Sequence, residues 1–231
     1  MPLQADGFDR SVKLPPELKI AHIREAIDHV EGRASELIDI YFEQANVFSG
    51  IVGILGIQAL HALSPYKKHK HPDVAQQRFP DLSLRGRLNP MPEHAVESKG
   101  STRPWALQSH YNHPGWYIVW RYAVDQTKRL KPGKIAAIWR VDIAFLRAED
   151  WKYEGSRAAE GRGGRTHTFG IKLPATLLKS CVVYQVHGSS SVKAAQFSAV
   201  WRSKSQPKYP IQFTPDSEPL APLSNSSPIH L

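Results

Sequence analysis

The chain has 231 residues, of which 41% are hydrophobic, so it can bury a core and is not wholly disordered. Thirty Lys and Arg residues against 21 Asp and Glu give a formal net charge of +9, and a single cysteine excludes an internal disulfide framework. No apolar run reaches the roughly 20 residues of a membrane span, so the sequence predicts a cytoplasmic protein with no membrane partner.

The basic charge lies in the C-terminal part of the chain. Residues 1–58 carry a net charge of −4, whereas residues 59–231 carry +13. An excess of this size favours a polyanionic partner, of which nucleic acid is the commonest. A basic surface that serves solubility alone is the alternative interpretation.

The region 1–63 is predicted to be helical. Residues 15–31 repeat apolar side chains at helical spacing after two prolines, and a second helix is predicted from Ala34 to about Phe48. The apolar run 49–63 has glycines at positions 50, 53 and 56, which favours a buried helix that another backbone approaches closely; a core strand is the alternative. The acidic balance of this region makes it a candidate dimerisation surface.

The next segments predict a basic connection and then a strand–turn–strand unit. Residues 64–77 form the connection, and two short extended segments, 78–88 and 94–101, flank a turn rich in proline. A threonine followed by a proline two residues later starts a short predicted helix, from Thr102 to about Tyr111.

Residues 115–124 and 134–146 give the clearest predicted strands, because they are rich in β-branched and aromatic side chains. Further strands are predicted within 180–188 and 194–203. A Gly/Arg-rich loop over residues 155–167 and a flexible tail over residues 215–231 complete the chain. A helical layer followed by a mixed sheet makes α/β the predicted fold class.

Asp81 and the segment Glu97-Ser98-Lys99 form the pattern with the clearest chemistry. Residues two apart on a strand project from the same face, so Glu97 and Lys99 point together. If the strand that contains Asp81 pairs with theirs as a hairpin, its carboxylate arrives beside them. Two converging carboxylates suit Mg²⁺, and a nearby ammonium group polarises water and offsets negative charge in a transition state. The alternative is an exposed Glu97–Lys99 ion pair, with Asp81 capping a turn.

Pro80-Asp81 followed by Glu97-Ser98-Lys99 resembles the motif of the PD-(D/E)XK nucleases, the superfamily of most type II restriction endonucleases. The resemblance implies a restriction-endonuclease-like fold, with a mixed central sheet flanked by helices, in which residues 64–214 form the catalytic and DNA-binding core. One departure concerns Gln108 and Tyr111, which are three residues apart where recombination-type members carry Gln-x-x-x-Tyr. This departure favours the restriction-enzyme branch.

The resemblance also implies roles for individual residues. Asp81, Glu97 and the backbone carbonyl of Ser98 would bind Mg²⁺, and Lys99 would position or activate the attacking water. Family members often add an acidic residue from an N-terminal helix, for which Glu43 is the candidate; an ordinary exposed helix carboxylate is the alternative. The implied activity is Mg²⁺-dependent, site-specific cleavage of double-stranded DNA by a homodimer. The sequence has no Gly-rich phosphate loop, so no nucleotide cofactor is expected.

Two groups of residues are candidates for DNA contacts. Lysines of the basic connection are expected to bind phosphates, which position a protein without reading sequence. Side chains after the Glu-X-Lys strand and in the Gly/Arg-rich loop are expected to contact bases. The candidates are Lys67, Lys68, Lys70, Arg103, Gln108, His110, Arg157, Arg162 and Arg165. A repair or junction-resolving nuclease of the same superfamily and a non-enzymatic DNA-binding protein are the alternative functions.

Overall fold

The structure is a computed structural model that describes residues 6–155 and 167–186. These residues form a mixed α/β fold, in which a six-stranded mixed sheet has helices on one face and a three-stranded sheet on the other. The α/β class and the mixed sheet are therefore confirmed. The predicted strand within 194–203, the predicted tail and the three loop arginines Arg157, Arg162 and Arg165 lie outside the described residues.

The described helices differ from the prediction at their ends. They are α1 (Ile20–Glu36), α2 (Ile38–Glu43), α3 (Ala45–Leu63) and α4 (Pro174–Lys179). Helix α1 begins five residues later than predicted, because Glu17 has a left-handed φ of 62° and the Leu18 N–H donates to the Pro15 carbonyl in a turn. The single helix predicted from Ala34 to about Phe48 is wrong, since the backbone leaves helical geometry at Gln44, with φ −147° and ψ 83°.

Two of the three glycines in α3 bring this helix against the sheet, as predicted. An added Cβ at Gly53 would lie 3.3 Å from both the Ser98 carbonyl oxygen and the Gly100 nitrogen, and one at Gly56 would overlap the Trp120 indole. Gly50 faces open space. Helix α3 is long and apolar enough to cross a membrane by length and composition alone, a test that core helices of soluble proteins also pass.

The strands of the described chain form two sheets. The strands are β1 (Tyr66–Lys67), β2 (Leu82–Leu84), β3 (Ala95–Ser101), β4 (Gln108–Ser109), β5 (Gly115–Val124), β6 (Ala136–Leu146), β7 (Trp151–Gly155), β8 (Thr168–Ile171) and β9 (Val182–Gln185). The large sheet has the order β1-β2-β3-β5-β6-β9, and the small sheet has the order β4-β8-β7. Neighbouring strands of the large sheet are antiparallel except β3 and β5, which are parallel.

The large sheet is buried on both faces by alternating side chains of its central strands. From β5, Ile118 and Trp120 join a core with α1 and α3, whereas Tyr117 and Val119 join a second core with the small sheet and α4. The helices of residues 1–63 thus share one core with the sheet. Long strands buried on both faces explain why residues 115–124 and 134–146 are nearly continuous apolar runs.

The helix predicted from Thr102 to about Tyr111 is wrong. Two arginines of the sheet take the carbonyl groups of this segment: Arg121 donates to Arg103 and Ala106, and Arg140 donates to Pro104. Carbonyls held by side chains from β5 and β6 are not available for the i→i+4 bonds of a helix. Tertiary contacts therefore override the local signal, and the segment leads instead to strand β4.

Two glycine substitutions on α3 should have opposite effects on stability. We expect Gly56→Ala to lower the free energy of unfolding by about 2 kcal/mol or more, since overpacking forces the Trp120 indole to move. Gly50→Ala on the exposed side of the same helix should raise it by up to about 1 kcal/mol, because alanine has the higher helix propensity. Urea unfolding of both variants measures the difference, and equal stabilities would contradict this account of the α3–sheet contact.

Candidate active site

Strands β2 and β3 bring the three motif side chains together. The two strands pair antiparallel through Leu82 with Val96 and Ser83 with Ala95, so β2 begins immediately after Asp81. Beyond this short ladder, β5 is the one described strand of the large sheet that pairs with the C-terminal half of β3. Asp81 therefore lies at the open edge of β3, beside Glu97 and Lys99, as the hairpin argument predicts.

Asp81 is bonded directly to the backbone and side chain of the motif strand. Its Oδ2 accepts a hydrogen bond of 2.9 Å from the Ser98 N–H, and its own N–H donates to Glu97 Oε2 at 3.2 Å. In an extended strand the N–H and C=O of one residue point to the same side. The Ser98 carbonyl therefore faces the Asp81 side of the strand, where it adds a third hard oxygen to the two carboxylates.

Lys99 is held by Glu97 on the same face of β3. Its Nζ donates to Glu97 Oε1 at 2.6 Å, and the two side chains are 27% and 11% exposed. The pair is thus half-buried rather than fully solvated, which disfavours an incidental surface ion pair. An ammonium group fixed in this way stands close enough to the carboxylates to act on a water molecule or phosphate bound there.

Ser98 anchors the motif strand to helix α3 from the opposite face. Its Oγ donates to the Gly53 carbonyl at 2.8 Å and accepts from the Trp120 indole N–H at 2.9 Å. Both bonds are buried, and buried hydrogen bonds of this kind fix side-chain and backbone positions. The strand that presents Glu97 and Lys99 is therefore positioned by the core behind it.

Asp81 and Lys99 border two cavities that meet at Asp81, whereas Glu97 lines neither. The Lys99 chamber, of about 480 Å³, lies between α3, the edge of β3 and the small sheet, and includes Lys99 and His110. The Lys68 chamber, of about 560 Å³, lies between α3 and residues 68–81. Asp81, Ile54 and Ile57 line both, so the two chambers form one cleft past Asp81.

The charge balance of the carboxylate pair fits a divalent cation. Burial, and then the negative charge of Glu97, raises the pKa of Asp81 from 3.8 to about 6, although the Ser98 N–H and both nearby lysines oppose the rise. A cation between Asp81, Glu97 and the Ser98 carbonyl would relieve this repulsion, and the oxygen donors are those that Mg²⁺ prefers. Among the described residues, no group of three or more His, Cys, Asp or Glu side chains is arranged for metal binding. The fit therefore rests on two carboxylates and a carbonyl.

The third acidic candidate from the sequence, Glu43, does not reach this cleft. Glu43 is exposed at the C-terminal end of α2 and lines neither chamber. The break at Gln44 turns the chain between α2 and α3, which a continuous helix through Phe48 would not do. The catalytic role of Glu43 stays a prediction that finds no geometric support here.

The three lysines of the basic connection have different surroundings. The Lys67 ammonium group donates a hydrogen bond to the His61 carbonyl near the end of α3, and Lys70 is exposed. The Lys68 ammonium lies 3.9 Å from Asp81 Oδ1 and is 22% exposed. The sequence does not show that Lys68 lies at the carboxylates, because the strand just before it, β1, has two residues, too few for alternation to be recognised.

The remaining described candidates lie around the Lys99 chamber. Gln108, in β4, and His110, just after β4, both line this chamber. Gln108 Nε2 donates to Glu154 Oε2 at 3.0 Å, and His110 Nδ1 lies 3.2 Å from the His167 carbonyl oxygen. Arg103 borders an adjacent cavity of about 350 Å³ that Lys99 and Gln108 also line. All three are exposed, and Asn46 of α3 lines both cavities although sequence analysis did not single it out.

Metal-free Asp81→Asn protein should be more stable than the unsubstituted protein at pH 7.5, with the gain disappearing near pH 4. The pKa of about 6 in the native state lies above the ordinary 3.8, so the native state binds this proton more readily than the unfolded chain. Ionising Asp81 therefore costs stability, a cost absent below about pH 4 and complete well above pH 6. The gain should be on the order of 1–3 kcal/mol.

Urea unfolding of both proteins in EDTA, between pH 4 and pH 7.5, measures this gain. Mg²⁺ should then stabilise the unsubstituted protein and not the variant, because a ligand stabilises only the state that binds it. A gain that grows as the pH falls, or none at pH 7.5, would contradict the assigned repulsion.

Comparisons of the chain with protein-family models, with curated proteins and with solved structures found no match in any of the three. The geometry of the cleft and the motif within it are therefore the basis for a functional assignment.

Proposed function

We propose that the protein is a Mg²⁺-dependent, site-specific endonuclease that hydrolyses phosphodiester bonds of double-stranded DNA, as type II restriction enzymes do. The observation that carries the proposal is the convergence of Asp81, Glu97 and Lys99 at the open edge of β3. Asp81 Oδ2 bonds the Ser98 N–H, and Glu97 Oε1 bonds Lys99 Nζ. The central sheet with helices against it supports a restriction-endonuclease-like fold.

Each motif residue has a defined task in this proposal. Asp81, Glu97 and the Ser98 carbonyl would hold Mg²⁺, which would supply Lewis acidity at the phosphate and charge stabilisation for the departing oxygen. Lys99 hydrogen-bonds the attacking water, and its orientation is fixed by Glu97 at 2.6 Å. Water attacks phosphorus in line with the bond that breaks, and the ammonium group offsets the charge that develops on the phosphoryl oxygens.

The charges and polar groups along the cleft support DNA as the substrate. Lys68 and Lys99 stand in the two chambers on either side of the shared Asp81 and suit phosphate contacts. Gln108 and His110 line the Lys99 chamber, where amide and imidazole groups reach base edges. The net charge of +9 supports a polyanionic ligand.

Cleavage of both strands of a palindromic site takes two active sites related by a two-fold axis, so we expect a homodimer. Helices α1 and α2, which belong to the acidic first 58 residues and line neither chamber, are the proposed dimerisation surface, whereas α3 lines the cleft and would face DNA. Sedimentation of the full chain with and without DNA tests this part of the proposal.

Digestion of a long unmethylated DNA with Mg²⁺ or with EDTA tests the activity. We expect discrete fragments with Mg²⁺ and intact DNA with EDTA, and the fragment ends then map the cleavage site. A Mg²⁺-dependent smear would replace the restriction activity with that of a repair or non-specific nuclease. Intact DNA with a gel shift would instead favour a non-enzymatic DNA-binding protein. If the DNA stays intact, several DNAs of unrelated sequence should be digested, so that a missing recognition sequence in the first DNA is excluded as the reason.

A further inference from the structure

The Lys68 chamber adjoins the carboxylate pair but has no part in the chemistry described so far. It holds about 560 Å³, which is within the range of about 300–1,000 Å³ of small-molecule sites. Asp81 lines both this chamber and the Lys99 chamber, whereas Lys99 lines only the second. A group bound in the Lys68 chamber would therefore lie directly beside the proposed reaction centre.

One wall of the chamber is apolar and open to solvent. Ile54 and Ile57 supply this wall from α3, and Ile54 is 53% exposed. Scattered exposed apolar residues need no explanation, but Ile54 stands in a cleft next to Asp81 and a lysine. An aliphatic surface at that place suits the flat face of a nucleobase, since proteins use isoleucine and similar side chains to contact and unstack bases.

Other residues that line the chamber, from α3 and from residues 76–77, carry hydrogen-bonding groups. His61 Nδ1 accepts a bond of 3.0 Å from the Lys68 backbone N–H, so the ring proton of neutral His61 belongs on Nε2. Burial, and then the charges of Lys67 and Lys70, hold the pKa of His61 below its ordinary value, which keeps the ring neutral at pH 7. Gln58, Gln76 and Gln77 add amide groups, which both donate and accept.

The charged end of the chamber suits a phosphate. The Lys68 ammonium lies 3.9 Å from Asp81 Oδ1, at the junction with the reaction centre. Lys68 and Lys99 thus offer one cation to each chamber, with Asp81 common to both. A nucleic-acid strand matches this arrangement, because it carries a negative charge at every nucleotide.

We propose that the Lys68 chamber binds one nucleotide of the substrate strand, with its base turned out of the duplex against Ile54 and its phosphate beside Lys68. This inference rests on the proposed nuclease function. A base inside a duplex is stacked on both faces, so the isoleucine wall can contact it only after it leaves the stack. The glutamines and His61 then contact the edge of the base.

A fluorescent base analogue tests this subsite. Duplexes of the mapped cleavage sequence carry 2-aminopurine at one nucleotide on either side of the cleavage point. Lys99→Ala protein with Mg²⁺ keeps both carboxylates and is expected to bind these duplexes without cutting them. For one of the two positions we expect the fluorescence to rise by about threefold or more on binding, because an unstacked 2-aminopurine is no longer quenched by its neighbours.

Two substitutions on α3, each added to Lys99→Ala, separate the subsite from other effects. Ile54→Ala should remove at least about half of the fluorescence rise, since the wall that receives the base is lost. Val47→Ala removes an apolar side chain of comparable exposure, 42%, from the same helix but outside both chambers, and should leave the rise unchanged. Anisotropy of a labelled duplex measures binding, and thermal unfolding confirms that both variants fold.

The outcomes distinguish this subsite from the nuclease function itself. The subsite alone is overturned if the 2-aminopurine fluorescence does not rise at either position, although the duplex binds normally and the unsubstituted protein cleaves it. Equal effects of Ile54→Ala and Val47→Ala do the same. Absence of any Mg²⁺-dependent cleavage by the unsubstituted protein overturns the proposed function and the subsite with it.

Discussion

Asp81→Asn, Glu97→Gln and Lys99→Ala should each lower the rate of DNA cleavage by about 10²–10³-fold or more. The two carboxylates are the proposed metal donors, and Lys99 stands 2.6 Å from Glu97 Oε1 with its other N–H groups available to water or phosphate. Asp81→Asn and Glu97→Gln keep nearly the original side-chain volume, and Lys99→Ala shortens a partly exposed side chain. Single-turnover cleavage of the mapped duplex, with enzyme in excess, measures the chemical step without product release.

A catalytic role differs from a structural one in what else changes. The three variants should bind the duplex within about fivefold of the unsubstituted protein, because binding draws on many phosphate contacts and not on one residue. Their thermal midpoints should not fall enough to explain a rate loss. Lys13→Ala, in the exposed N-terminal segment, is the matched control and should cleave normally. A motif variant that keeps more than about a tenth of the rate would refute its assignment.

The position of the motif could be predicted from sequence because it depends on short-range geometry. Strand alternation fixes Glu97 and Lys99 on one face, and the proline-rich connection between residues 84 and 95 reverses the chain so that β2 and β3 pair as an antiparallel hairpin. The close packing of α3 followed in the same way from glycines at helical spacing, of which Gly53 and Gly56 contact β3 and β5. In each case the interpretation needed no knowledge of distant residues.

The surroundings of the motif could not be predicted, because they depend on contacts between distant parts of the chain. The segment after Lys99 reads locally as a helix, yet its carbonyls are taken by Arg121 and Arg140, which follow it by 15 to 36 residues. Strand β4 has two residues, too few for a period to be recognised. Ile54 looks like any core residue of α3, and only the position of the cleft shows that it is exposed.

Asp142→Ala should lower the free energy of unfolding by about 3–5 kcal/mol, because it removes the carboxylate that, among the described residues, pairs with two buried guanidinium groups. Arg121 Nε donates to Asp142 Oδ2 at 2.8 Å, and Arg140 Nε lies 2.7 Å from Oδ1. All three residues are at most 1% exposed. Without Asp142, two positive charges would stay buried with no counter-ion, and desolvation would no longer be offset.

Substitution of Asp142 should also disturb the segment that borders the cleft. Arg121 and Arg140 also hold the carbonyls of Arg103, Pro104 and Ala106, in the segment that connects Lys99 to Gln108. The Arg140 guanidinium lies 4.0 Å from the centre of the Trp105 ring. Hydrogen exchange of residues 102–108 should therefore quicken in Asp142→Asn, the milder variant that keeps the side-chain volume. Urea unfolding gives the stability of both variants.

Glu149→Ala is the control, because it breaks an ion pair between side chains that are 70% and 67% exposed. It should lower the free energy of unfolding by less than about 0.5 kcal/mol. If the free energies of unfolding of Asp142→Ala and Glu149→Ala differ by less than about 1 kcal/mol, the buried cluster does not hold this segment in place.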